Sequence, residues 1–79
     1  MYNMEMEGTK WTLFNISVDL FAEQGYNNVT VRDIVRTAGI KAASIYYHFE
    51  SKEKILEKIY EFYDYYYSYF MPSLESLLR

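Results

Sequence analysis

An all-α fold is what this 79-residue sequence predicts: three helices in a bundle, the second and third short and joined by a tight turn, then a long fourth helix. Three observations carry that reading. Apolar residues recur three, four and seven positions apart in the first two dozen residues, and again from residue 52 onward. Start and stop residues sit between the periodic stretches: Gly25, Thr30, Gly39, Ser51 and Pro72. The two stretches on either side of Gly39 are each only about eight residues long, which makes them paired short helices.

The first helix is expected from Thr9 to Gln24, with Trp11, Leu13, Phe14, Val18, Leu20 and Phe21 forming its inward stripe. Gly25 reads as a left-handed C-terminal stop, Tyr26 as the apolar contact that folds back, and Asn27 and Asn28 as turn residues. Thr30 begins the second helix. Its hydroxyl can accept from the Asp33 amide, giving a capping box with Asp in place of Glu, and Val31, Ile34, Val35 and Ala38 make the buried face. The third helix is expected from Lys41 or Ala42 to near Phe49, with Gly39 at a positive-φ position in the turn. Ser51 caps the fourth, which carries Ile55, Leu56, Ile59, Phe62, Tyr63, Tyr66 and Phe70 inside until Pro72 stops or kinks it.

Two short helices on a glycine turn are the helix-turn-helix pattern, here in a homeodomain-like three-helix arrangement whose third helix enters a major groove. Net charge of −3 at first disfavours a phosphate partner. Between residues 30 and 58, however, six basic side chains face four acidic ones, a local balance of +2. Screening over roughly 8 to 10 Å makes that central surface, not the whole-chain sum, what a docked duplex senses.

Composition removes other classes. With 51% apolar and 20% aromatic residues the chain has ample core-forming material for one domain, and disorder is excluded. The absence of cysteine rules out disulfides and thiolate metal sites and suits a reducing cytosol. No stretch approaches about eighteen uninterrupted apolar residues, and MYNMEMEGTK carries two glutamates and no basic, apolar leader. A cytoplasmic protein with no membrane partner is therefore expected. One histidine, no Gly-rich phosphate loop and no HExxH pair leave no catalytic or metal constellation, and no cofactor is expected. Glu53, Glu57 and Glu61 recur every four residues among lysines, as on a solvated helix face, and Arg36, Lys54 and Lys58 read as surface residues supported by nearby carboxylates.

The run LFAEQGYNNVTVRDIVRTAGIKAASIYYHFESKEKIL resembles the DNA-binding signature of the tetracycline-repressor (TetR) family almost from end to end. Its parts are LFAEQGY closing helix one, TVRDI opening helix two, AGI at the turn, and IYYHF followed by SKE leading into helix four. The resemblance implies a tail at 1–8, a helix-turn-helix domain at 9–58, and at 59–79 the rest of helix four with the start of a regulatory domain that is missing or truncated here. It further implies a homodimer on a pseudo-palindromic double-stranded DNA operator, and a repressor released by a small-molecule inducer.

Site residues follow from the same resemblance. Thr30 matches a phosphate-touching hydroxyl, although an N-cap uses that oxygen as well. Tyr46 matches a phosphate contact, with a mixed core-and-phosphate role as the alternative; Tyr47 matches ring packing on a base methyl or sugar. His48 divides between DNA contact and a structural hydrogen bond. Lys52 matches a phosphate-binding lysine, and as a purely structural choice it is awkward because a cation at a helix N-terminus opposes the dipole. Arg32 can reach a base edge and Lys41 a phosphate, and each reads equally as a solvated charge. Independently of the family, Ala42, Ala43 and Ser44 are small enough to let the third helix approach a groove closely.

The sequence departs from the family at Lys41, where a small N-capping residue is usual, and at Ala43, where Gly is frequent. Base readout should accordingly lean on Arg32, Tyr47 and DNA shape. Tyrosines at 60, 63, 65, 66, 67 and 69, with Phe70, offer more aromatic surface than one stripe buries, to be covered by further helices or turned to a ligand. The rival reading is a helical protein-interaction module built on that tyrosine surface.

Overall fold

In the computed structural model, residues 8–70 are described, with side chains through position 65. Three α-helices run over Gly8–Gln24 (α1), Val31–Ala38 (α2) and Lys52–Phe70 (α3). A 3₁₀ turn at Tyr26–Asn28 separates the first two, and a 3₁₀ helix at Ala42–Tyr47 stands where the third helix was expected. Gly8 opens α1 instead of closing a tail; residues 1–7 of that expected tail, and Pro72, lie outside the described residues.

Leu13 and Phe14 of α1, Val29, Ile34 and Val35 of α2, and Ile45, Phe49 and Ile55 form one buried cluster. Packed at its rim are Val18, Leu20, Phe21, Val31, Ala38, Ile59 and Phe62. Ser17 is also fully buried, and its hydroxyl donates to the Leu13 carbonyl at 2.8 Å, so no polar atom is left unpaired there. Trp11, expected inside, is 38% exposed. It lies at the outer end of α1, stacked on Phe14 at 5.5 Å and tilted against Phe62 at 6.3 Å, so only part of the indole finds cover.

Gly25 has positive φ but not the expected left-handed helical geometry: φ is 89° and ψ 139°, an extended positive-φ conformation open to glycine. Its amide still donates to Phe21, and the next three residues wind into the 3₁₀ turn. The aromatic fold-back is present, with Tyr26 edge-on to Phe21 at 5.0 Å between centroids.

α2 has the predicted capping box: the Asp33 amide donates to the Thr30 hydroxyl at 3.1 Å, and the Thr30 amide to the Asp33 carboxylate at 2.9 Å. At its other end Gly39 is left-handed at φ 73° and ψ 30°. Its amide donates to Arg36, and that of Ile40 to Val35, the paired bonds of a Schellman motif.

The expected third α-helix is instead a six-residue 3₁₀ helix. Six residues barely nucleate an α-helix, Lys41 supplies no side-chain cap, and Ile45, Tyr46 and Tyr47 are β-branched or aromatic. The tighter i to i+3 bonds from Ser44 to Lys41 and from His48 to Ile45 replace the α pattern, and Ile45 accepts from Phe49 as well. α3 opens as anticipated, with the Ser51 hydroxyl accepting from Lys54 at 3.2 Å. Along it, Ile55 is fully buried and Phe62 packs on Phe14 at 5.6 Å, while Tyr60 is 66% exposed. The side chains of Tyr66 and Phe70 are outside the description. Arg36, Lys54 and Lys58 pair with Asp33, Glu57 and Glu61 at 3.3 to 3.6 Å on the surface, where such pairs contribute little.

Candidate nucleic-acid interface

The 3₁₀ geometry decides which groups the short helix presents. With three residues per turn, side chains three apart eclipse one another, so Ala43 and Tyr46 share one row, Ser44 and Tyr47 the next, and Ala42, at the exposed start of the helix, shares the third with Ile45. Ile45 is buried, which fixes the other two rows outward. Tyr47 is 89% exposed and Tyr46 56% exposed. Ala42, Ala43 and Lys41 are exposed too, and Ser44 is half-buried. The result is a low ridge of methyl groups ending in two outward phenols. Tyr46 is not part of the buried cluster, which Ile45 and Phe49 enter from this segment.

Thr30 is exposed at the start of α2. Its hydroxyl has two lone pairs and one proton; the Asp33 amide occupies a lone pair, and the proton turns either to the Asp33 carboxylate or to an outside acceptor. Capping and an anion contact therefore use different parts of one oxygen. Hydrogen bonds from the Thr30 amide and hydroxyl, aided by Arg36, hold the Asp33 carboxyl below the usual aspartate range. The cap thus carries a full negative charge at neutral pH. Arg32, two residues past the cap, is exposed and makes no ion pair among the described residues.

His48 is half-buried, its amide bonded to the Ile45 carbonyl. Its side chain lines a shallow surface groove of about 280 Å³ with Lys10, Phe49 and several carboxylates, among them Glu50 and Glu57. Among the described residues, no three His, Asp or Glu side chains could hold a metal, and no helix is long and apolar enough to cross a membrane.

Lys52 is where geometry departs most from sequence reasoning. Its ammonium reaches back to donate to the carbonyls of Tyr26 and Val29, each at 2.9 Å, which offsets the unfavourable placement of a cation at a helix N-terminus. It also lies over the Tyr26 ring, 4.0 Å from the centroid. The Tyr26 hydroxyl is shut off from solvent beside the Glu53 carboxylate; burial first, then that carboxylate, push its pKa up. No local signal marks this cluster in the sequence, since its members are more than twenty positions apart.

A trihelical core that holds a short, outward-facing third helix on a left-handed glycine turn, with a capped helix start beside it in sequence, defines a helix-turn-helix domain. The model of the bacterial regulatory proteins of the tetR family matches residues 14–59, more than half of the chain, and the chain belongs to that family. It is 46% identical over 52 residues to the HTH-type transcriptional repressor KstR2 of Rhodococcus jostii, a match covering 66% of this chain and 26% of that protein. Over 42 residues it is 48% identical to IcaR, the HTH-type negative regulator of the biofilm operon icaADBC in Staphylococcus aureus, covering 53% of this chain and 23% of that one. The ketosteroid transcriptional regulator KstR2 of Mycobacterium tuberculosis superposes with a TM-score of 0.65 at 34% identity, over 73% of this chain and 30% of that structure. The probable transcriptional regulatory protein RHA5900 superposes at 0.68 and 42% identity, over 75% and 32%. The chain thus matches about a quarter of the length of these curated relatives. Both of these curated relatives are regulators of transcription.

Proposed function

We propose that this chain docks on double-stranded DNA as one half of a symmetric dimer, placing the 3₁₀ helix Ala42–Tyr47 in a major-groove half-site of a pseudo-palindromic operator. The observation that carries this reading is the exposure of Tyr47 and Tyr46 beside the small Ala42 and Ala43, on an element anchored from behind by Ile45. A phenol as exposed as that of Tyr47 packs on little of its own domain, and against a duplex it gains a partner. Tyr47 packs on a base methyl or sugar, and the Tyr46 hydroxyl meets a phosphate. The Thr30 hydroxyl donates to a second phosphate, with Lys41 and the half-buried His48 as flanking contacts. Ser44 and the two alanines let the backbone approach the groove, and Arg32 reaches a base edge.

The complete regulator is a ligand-responsive repressor of the cytoplasm, with residues 9–58 as its DNA-binding unit and residues 59–79 leading toward the dimerising, inducer-binding part. Its similarity to two repressors supports the direction of control. If each copy neutralises three or four phosphates, the logarithmic salt slope for the dimer is about −5 to −7. Selection from a random duplex library at low salt, with the parent chain and Tyr47→Ala run side by side, tests the reading. Enrichment of an inverted repeat by the parent and its loss in the variant support it. Failure of both to retain DNA overturns it in favour of a protein-interaction surface around the exposed Tyr60.

A further inference from the structure

Resting on that DNA-binding reading, we infer that Lys52 is a positioning residue for the interface, a strut that fixes the α1–α2 turn and with it the Thr30 hydroxyl, and not a phosphate ligand. The ammonium spends two of its three protons on backbone carbonyls, those of Tyr26 and Val29, both at 2.9 Å, and is part-buried in doing so. Its charge also rests on the Tyr26 ring. The other side-chain hydrogen bonds described above span three or four positions; these span 26 and 23. They join the first residue of α3 to the segment that delivers α2.

The placement of the two acceptors gives the strut its consequence. Val29 is a core residue, 1% exposed, and its carbonyl immediately precedes Thr30. The Tyr26 carbonyl begins the same turn and accepts from the Val29 amide as well, at 3.3 Å. Removing the ammonium leaves the Val29 carbonyl without its bond from α3 and frees the turn to sample other arrangements. Thr30 then reaches its phosphate in only a fraction of molecules, and the apparent DNA affinity falls by that fraction. A positioning defect lowers affinity without changing how many phosphates are neutralised. A lost phosphate contact lowers the salt slope by about 0.9 per copy.

Lys52→Met and Lys52→Arg are compared with the parent on the inverted repeat recovered by the selection, from about 50 to 200 mM salt, the range over which phosphate contacts dominate affinity. In parallel, the Val29, Thr30 and Asp33 amide resonances and the Lys52 ammonium exchange rate are recorded without DNA. The strut predicts slowly exchanging ammonium protons in the parent. In Lys52→Met it predicts displaced amides and about a tenfold loss of affinity at unchanged slope, with Lys52→Arg recovering most of it because it restores donors to both carbonyls. A shallower slope with unmoved amides overturns the inference, as does rapid ammonium exchange in the parent, which needs no variant to fold. If the selection recovers no duplex, the DNA-binding reading fails, and the amides and ammonium exchange still decide whether Lys52 fixes the turn.

Discussion

Replacing Gly39 by alanine isolates the backbone cost of the turn that presents the recognition helix. At φ 73° and ψ 30° residue 39 is left-handed, and a Cβ built there meets nothing within 4 Å. Any penalty in Gly39→Ala is therefore the residue's own conformational strain, with no neighbouring clash added. A left-handed non-glycine residue costs roughly 1–2 kcal/mol. Stiffening of the unfolded chain returns about 0.4–1 kcal/mol, leaving a net loss near 1 kcal/mol. For a domain of this size that lowers Tm by roughly 4–8 °C, readable in thermal unfolding followed by circular dichroism. Gly39→Asn should lose less, because asparagine tolerates the left-handed region. An alanine variant as stable as the parent, or an asparagine variant less stable than the alanine one, refutes the assignment of strain to this residue.

Other perturbations separate core, surface and cap. Ile45→Ala, at 1% exposure, should cost about 2–5 kcal/mol in urea unfolding, because it opens a cavity behind the recognition helix. Tyr47→Ala, at 89% exposure, should change stability by no more than about 0.5 kcal/mol, while fluorescence anisotropy shows roughly tenfold or greater loss of DNA affinity. The Asp33 carboxyl is held low by Thr30, so its contribution is fully present above the unfolded aspartate value of about 3.9 and is lost as pH falls through the folded value beneath it. Acid titration of the α2 amides should show this loss in the parent and not in Asp33→Asn.

Much of the fold was legible because its signals are local. Thr30 and Asp33 lie three apart, Ser51 and Lys54 likewise, and Gly39 follows directly on the helix it ends. Each reveals itself within one helical turn. The inward stripes of α1 and α2 were readable for the same reason, although the cover over Trp11 depends on Phe62, 51 positions away. The form of the third helix was not legible, since so short a stretch has the same apolar spacing in either winding and the choice follows from its length, its missing side-chain cap and Ile45 being held in the core. The conformation of Gly25 escaped because positive φ alone does not fix ψ. The reach of Lys52 escaped most completely: its hydrogen bonds run to a turn folded more than twenty residues earlier.

Ala42 and Ala43 are exposed methyl groups on an element whose attachment depends on Ile45 alone of its own six residues. Their side chains hold nothing in place, so lengthening either one alters the outer contour without opening a cavity or stranding a polar atom. Arginine or glutamine at position 42 or 43 adds hydrogen-bonding reach at the outer face while the bundle beneath is untouched. Outer contour and folding stability are therefore separable at these two positions; on the DNA-docking reading, variants there should change the sequence selected from a duplex library while leaving Tm near that of the parent.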